Sequence, residues 1–190
     1  MYTGARAGEI IQLYVDEIYE EHGVLHFAIN DDGQDKRLKN PTSHREIPVH
    51  AELIRMGLME HVELRRSHGE TRLFPDMPMG EDGYYSSPFS KHYGRFLVSL
   101  GIKHKKNSFH SFRHSFEDAC RDSDISKEIM DSLQGHGEDG MAARYGKVYK
   151  LKKLDEAMKR LTYRDLNLSH LHSAPSSADG TARISHTAPG

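Results

Sequence analysis

The sequence has a single cysteine, Cys120, and no tryptophan. One cysteine excludes a disulfide framework and fits a reducing compartment such as the cytoplasm. No apolar run approaches the roughly 20 residues that cross a bilayer. The opening Met1-Tyr2-Thr3-Gly4 has neither the basic nor the apolar region of a signal peptide. The expectation is a soluble, cytoplasmic protein with no membrane partner. An excess of one charge is also missing: Lys and Arg number 26, Asp and Glu 28, for a formal net charge of -2. Any contact with nucleic acid must therefore rest on local basic clusters. The 14 histidines raise the question of a metal. His110 and His114 stand four apart on an expected helix, but position 111 is Ser where the H-E-x-x-H pattern needs Glu. With no cysteine cluster either, neither a metal nor another cofactor is expected.

The chain of 190 residues suits one domain with a core of useful size. Residues 1–163 read as globular. From about Asn167 the composition shifts to Ser, Ala, Gly, Thr and Pro, so residues 164–190 read as a disordered tail. A short helix is expected through Glu9, Ile10 and Leu13. A strand follows the turn at Glu21-His22-Gly23, over Val24–Ile29, and another lies around Arg45–Pro48. Apolar spacing predicts one helix over Glu52–Arg66, ended by Gly69. Ser87-Pro88 opens a helix that stops at Gly101. Further helices are expected near 110–122, 125–134, 138–145 and 151–161. The fold class is α+β, mostly α-helical, with a small antiparallel β-sheet and no βαβ alternation.

Three segments carry the chemistry: Thr3-Gly4-Ala5-Arg6-Ala7-Gly8-Glu9, Phe109-His110-Ser111-Phe112-Arg113-His114, and Gly135-His136 followed by Ala143-Arg144-Tyr145. Their order and spacing resemble the tyrosine recombinases, the phage integrase family. That family has a T-G-x-R-x-x-E box, then H-x-x-R-H, then G-H with a tyrosine nine residues beyond. It also carries a lysine in a β-hairpin, commonly within K-x-x-x-S-x-R-x-I/V-P, which Lys39 to Pro48 match. Each motif alone is a weak sign; four in order across Thr3–Leu161 are a specific one. The resemblance implies the DNA breaking-rejoining type of catalytic domain. It lacks here the domain's first helices and the core-binding domain that precede the first arginine box in relatives.

Metal-free cleavage of a phosphodiester needs other charge to offset the transition state. Two planar guanidiniums, Arg6 and Arg113, suit its non-bridging oxygens. Tyr145 would be the nucleophile, activated by hydrogen bonds and nearby cations. The resemblance makes Lys39 the proton donor to the leaving oxygen, with His110 and His136 assisting. Lys36 and Arg45 are rivals of Lys39, and Tyr149 is a rival of Tyr145. Taken alone, Arg6 and Glu9 also read as an ordinary surface pair, and His114 as a structural histidine at the helix start. Lys103, Lys105 and Lys106, with Lys147 and Lys150, form basic clusters flanking these segments, where DNA phosphates would lie. Double-stranded DNA is the expected partner, together with further copies of the chain, a tetramer by resemblance. Two other readings use the same residues: a type IB topoisomerase-like relaxing enzyme, and an inactive truncated remnant that at most binds DNA. Gln134 departs from the Leu usual before Gly-His, and Pro41 and His44 interrupt the lysine motif.

Overall fold

A computed structural model describes residues 1–38, 43–136 and 147–173, with backbone alone at 147–149. Its sheet has three antiparallel strands in the order β1-β2-β3: Ile18–Glu21, Val24–Ile29 and Arg45–Pro48. Glu21 faces Val24 across a two-residue turn, and both turn residues have positive φ, 53° at His22 and 78° at Gly23. Positive φ at both positions is the type I′ pattern, whose twist matches the strands it joins. The sequence predicts this turn, β2 and β3. Strand β1 is not predicted, because only Ile18 of its four residues is buried, so it shows no apolar alternation.

The helices are α1 (Ala7–Ile11), α2 (Ala51–Arg55), α3 (Leu58–Ser67), α4 (Ser86–Ser99), α5 (Ser111–Asp122), α6 (Lys127–Gln134) and α7 (Lys147–Arg160). The single helix expected over 52–66 is two. The break falls at Gly57, whose φ of 90° leaves the helical region. Apolar spacing continues through such a break, because it reports the buried face and not the hydrogen-bond ladder. Helix α6 starts on Ser126, whose hydroxyl accepts a bond from the Ile129 N–H at 3.4 Å. The helix expected near 138–145 lies outside the described residues.

Helix α7 packs across β2, β3 and α6. It buries Leu151, Leu154 and Met158, with Leu161 just beyond its end, in a core with Phe27, Ile47, Phe116 and Leu133. Cys120 lies in the same core, fully buried, and burial pushes its thiol up to about 12. Beyond α7, Tyr163 sets its ring edge-on against Tyr2 at 5.0 Å and donates to the Met1 carbonyl at 3.0 Å. Residues 164–173, within the span expected to be a tail, turn back toward α2. The Ser173 N–H donates there to the Arg55 carbonyl at 2.8 Å.

Gly4 connects this core to the segment that follows. Its φ is +61°, and a Cβ built there would stand 2.6 Å from the ring of the fully buried Phe116. Gly4→Ala should therefore destabilise the fold by roughly 1–2 kcal/mol through its backbone and ~1–3 kcal/mol through overpacking. Urea unfolding at fixed pH checks this; an unchanged midpoint would show that the ring yields freely.

Candidate active site

Arg6 is the residue before α1, and Glu9 in the first turn folds back on it. The Glu9 carboxylate accepts from the Arg6 backbone N–H and from its guanidinium, both at 2.8 Å. This is no surface pair, since Glu9 is 4% exposed. The second cation on it is Arg45 of β3, whose Nη2 donates to Glu9 Oε2 at 2.7 Å. Burial alone would push the Glu9 carboxyl up, but Arg45, followed by Arg6, holds it below its usual range.

Helix α5 supplies the next pair. His110 is its N-cap and Arg113 follows three residues on, which places both side chains on one helix face. Arg113 is buried and donates to three acceptors: the Gly4 carbonyl at 2.5 Å, the Gln134 carbonyl at 2.7 Å, and His136 Nε2 at 2.8 Å. The third segment arrives through Gly135, which ends α6 with φ 68° and turns the chain so that His136 meets Arg113. Gln134 is fully buried and donates weakly to the Arg113 carbonyl at 3.4 Å.

Four predicted residues from segments distant in sequence thus share one electrostatic environment. Burial and then the neighbouring Arg6 push Arg113 down to about 10, still protonated at neutral pH. His110 is held below the usual histidine value by burial, then by His114, Arg113 and Arg6. His136 is lowered by burial, then by Arg113 and Arg6. Because Arg113 can only donate, His136 Nε2 is the acceptor and its proton sits on Nδ1. Both imidazoles are solvent-facing.

The sign of the pH effect follows. Folding lowers both histidine pKa values, so between the folded value and the unfolded value near 6.5 the unfolded chain binds more protons, and stability falls as pH drops through that window. Solvent screening keeps the loss small at these exposed rings. Titrated by NMR, His136 should show a midpoint below 6.5 that rises when Arg113 is replaced by Met; a midpoint indifferent to Arg113 would contradict the contact.

Among the described residues Arg6 uses one side-chain N–H, toward Glu9, and Arg113 uses three. Each guanidinium has five, so both keep donors for an outside oxyanion. They border a cavity of about 840 Å³ that also reaches His110 and Lys103. Part of its wall is aromatic: Phe89 and Tyr93 meet Phe109 edge-on at 4.8 and 5.4 Å.

Lys39 and Tyr145 lie outside the described residues. The two rivals of Lys39 are engaged elsewhere. Lys36 is buried and bonded to Glu17, and to Asn30 Oδ1 at 2.5 Å. Arg45 is buried against Glu9. Just before Lys39 the chain is anchored by Asp35, which accepts from Tyr14, Arg72 and Tyr85. Lys103, Lys105 and Lys106 are exposed, and Lys103 donates to the Asn107 carbonyl at 2.9 Å. Lys150 is buried on α7, unlike a residue on an open DNA face. The Lys147 side chain is outside the described residues. His114 is exposed beside His110, ring centroids 5.1 Å apart, and does not pack under the helix start. Among the described residues no group of three or more His, Cys, Asp or Glu could hold a metal, and no helix is long and apolar enough to cross a membrane.

The phage integrase family model matches residues 1–152. Among solved structures, the chain is similar to XerH site-specific recombinase bound to difH substrate in a pre-cleavage complex, at 22% identity and a TM-score of 0.46, covering 80% of this chain and 41% of that one. It is also similar to XerH bound to palindromic difH in a post-cleavage complex, at 20% identity and a TM-score of 0.44, covering 82% and 42%. The chain thus spans about two-fifths of the solved chains it matches. No curated protein matches it.

Proposed function

The chain belongs to the phage integrase family of tyrosine recombinases, and from that premise we propose that residues 1–163 are catalytic machinery for site-specific cleavage and rejoining of duplex DNA, with 164–190 as an appended tail. The observation that carries this reading is the convergence of Arg6, Arg113 and His110 on one cavity, with His136 bonded to Arg113.

In this reading Arg6 and Arg113 hold the non-bridging oxygens of the scissile phosphate with their remaining N–H donors. Preorganised donors of this kind offset the charge that builds in the transition state without reorganising. Tyr145 gives up its phenolic proton, taken by a neutral imidazole of the site or by water, and its oxygen attacks phosphorus. The phosphorus–O5′ bond breaks, the 5′ oxygen takes a proton from Lys39, and a 3′-phosphotyrosine remains. Rejoining is the reverse, with the 5′ hydroxyl attacking phosphorus and the tyrosine leaving. The covalent link conserves the bond energy, so no ATP, metal or organic cofactor is called for. His110 and His136, neutral near pH 7, donate an N–H to the phosphate or relay a proton. Lys103 at the cavity, with the exposed Lys105 and Lys106 near it in sequence, contacts flanking phosphates. Full recombination needs paired exchanges, which implies further copies of the chain on the DNA, a tetramer in this family, acting in the cytoplasm of the host of a mobile element.

The test is adduct trapping from a pool of random nicked duplexes, with SDS-stable protein–DNA species isolated and sequenced. Enrichment of one sequence together with a 3′ linkage supports site-specific recombination. Adducts on all sequences, with relaxation of supercoiled plasmid and no recombinant, favour a topoisomerase-like activity. DNA binding with no adduct on any duplex makes the chain an inactive remnant.

A further inference from the structure

The residue that joins the two arms of the proposed site is Arg45, which lies on neither of them. Its guanidinium is 6% exposed as a residue and uses all three nitrogens. Nε donates to the Leu133 carbonyl at 2.8 Å, Nη1 to the Ser43 carbonyl at 2.8 Å, and Nη2 to Glu9 Oε2 at 2.7 Å. Two of these bonds lead toward the arginines that face the cavity. Through Glu9 the link continues to Arg6, held at 2.8 Å by the other carboxylate oxygen. Through Leu133 it fixes the end of α6, where the next carbonyl, Gln134, receives Arg113 at 2.7 Å and His136 receives it at 2.8 Å. Gly135 is cut to this contact: a Cβ there would stand 2.9 Å from Arg45 Nη1. Three chain segments, 36 and 88 residues away from Arg45 in sequence for the two long-range bonds, thus close on one planar fork.

Resting on the recombinase reading above, we propose that Arg45 is a positioning residue that sets the separation of Arg6 and Arg113, and so the width of the phosphate site between them. It touches no reacting atom. The geometry demands arginine, because a lysine ammonium is a point donor and cannot face three acceptors in one plane. Misplacing a catalytic group by about 1 Å can cost on the order of 100-fold in rate.

The experiment compares Arg45→Lys, Arg6→Ala and the double variant, using single-turnover adduct formation on the trapped duplex and NMR titration of His110 and His136. Arg45→Lys should lower the cleavage rate by about 10- to 100-fold with KM unchanged. The double variant should lose less than the product of the two single losses, since part of Arg45's effect runs through Arg6. The midpoints of His110 and His136 should rise toward the usual histidine value as Arg6 and Arg113, which help to lower both rings, draw apart. If Arg45→Lys fails to fold, Glu9→Gln weakens the arm to Arg6 with little change of shape, and the same directions of change in rate and histidine midpoint are expected. Unmoved histidine midpoints overturn the proposal, whether or not the chain cuts DNA. Losses that multiply in the double variant also overturn it. Shifted midpoints with undiminished cleavage in all variants, Arg6→Ala included, would leave Arg45's hold on the arginines standing and sink the recombinase reading of them.

Discussion

Tyr145→Phe should form no SDS-stable adduct with DNA, while binding the same duplex as well as the parent chain. The substitution removes one oxygen, and in the proposed reaction that oxygen makes the only protein–DNA bond. A residue that merely aided the reaction would leave slow residual cleavage, but without a nucleophile there is no intermediate to trap. Tyr145 is nine residues beyond His136 and two before the start of α7. That helix is anchored in the core by Leu151, Leu154 and Met158. Tyr149, the competing phenol, lies on α7 itself. The decisive comparison is Tyr145→Phe beside Tyr149→Phe on one trapped duplex. Persistence of the adduct in the first and its loss in the second would move the nucleophile four residues along the chain.

Arg113→Ala should slow adduct formation by about 10²–10³-fold, the usual cost of losing one preorganised donor to a developing oxyanion, and should also weaken the fold. The second effect distinguishes it from Arg6→Ala. Arg113 is buried, and its removal leaves the Gly4 and Gln134 carbonyls without their donor. Each buried acceptor so stranded costs about 1–3 kcal/mol. Arg6 is only half-buried and bonds chiefly to Glu9, so its loss should fall on rate more than on stability. Arg113→Lys should restore little, since one ammonium cannot satisfy two carbonyls, an imidazole nitrogen and a phosphate together. Single-turnover rates and chemical denaturation on the same preparations separate the two effects. A folded Arg113→Ala chain that cleaves at the parent rate would remove Arg113 from the phosphate site.

Arg6, His110, Arg113 and His136 could be grouped from the sequence because their local spacing survives folding. His110 and Arg113 share a helix face at a separation of three, and Gly135 before His136 marks a helix end that needs positive φ. The helices α5 and α6 were legible for the same local reasons. What escaped the sequence was long-range. Arg45 reads as one charge in a short strand until Glu9 and Leu133 are brought to it. Lys36 reads as a loop lysine, yet Glu17 and Asn30 bury it. Lys150 sits in a run of lysines that looks solvated, but α7 turns that position inward. The split between α2 and α3 was hidden because the apolar positions keep their spacing across Gly57 while the backbone does not. Local pattern reports which face is buried; it does not report what a charge meets there.

The buried Cys120 has a practical consequence. Thiol-directed dyes and spin labels react with the thiolate, and a thiol in the core with its pKa at about 12 offers almost none at neutral pH. It is also the sole cysteine of the chain. A cysteine introduced at an open position, such as Val98 on α4 at 64% exposed, would be the one fast-reacting thiol. The protein is therefore ready for single-probe fluorescence or paramagnetic distance measurements without first being made cysteine-free.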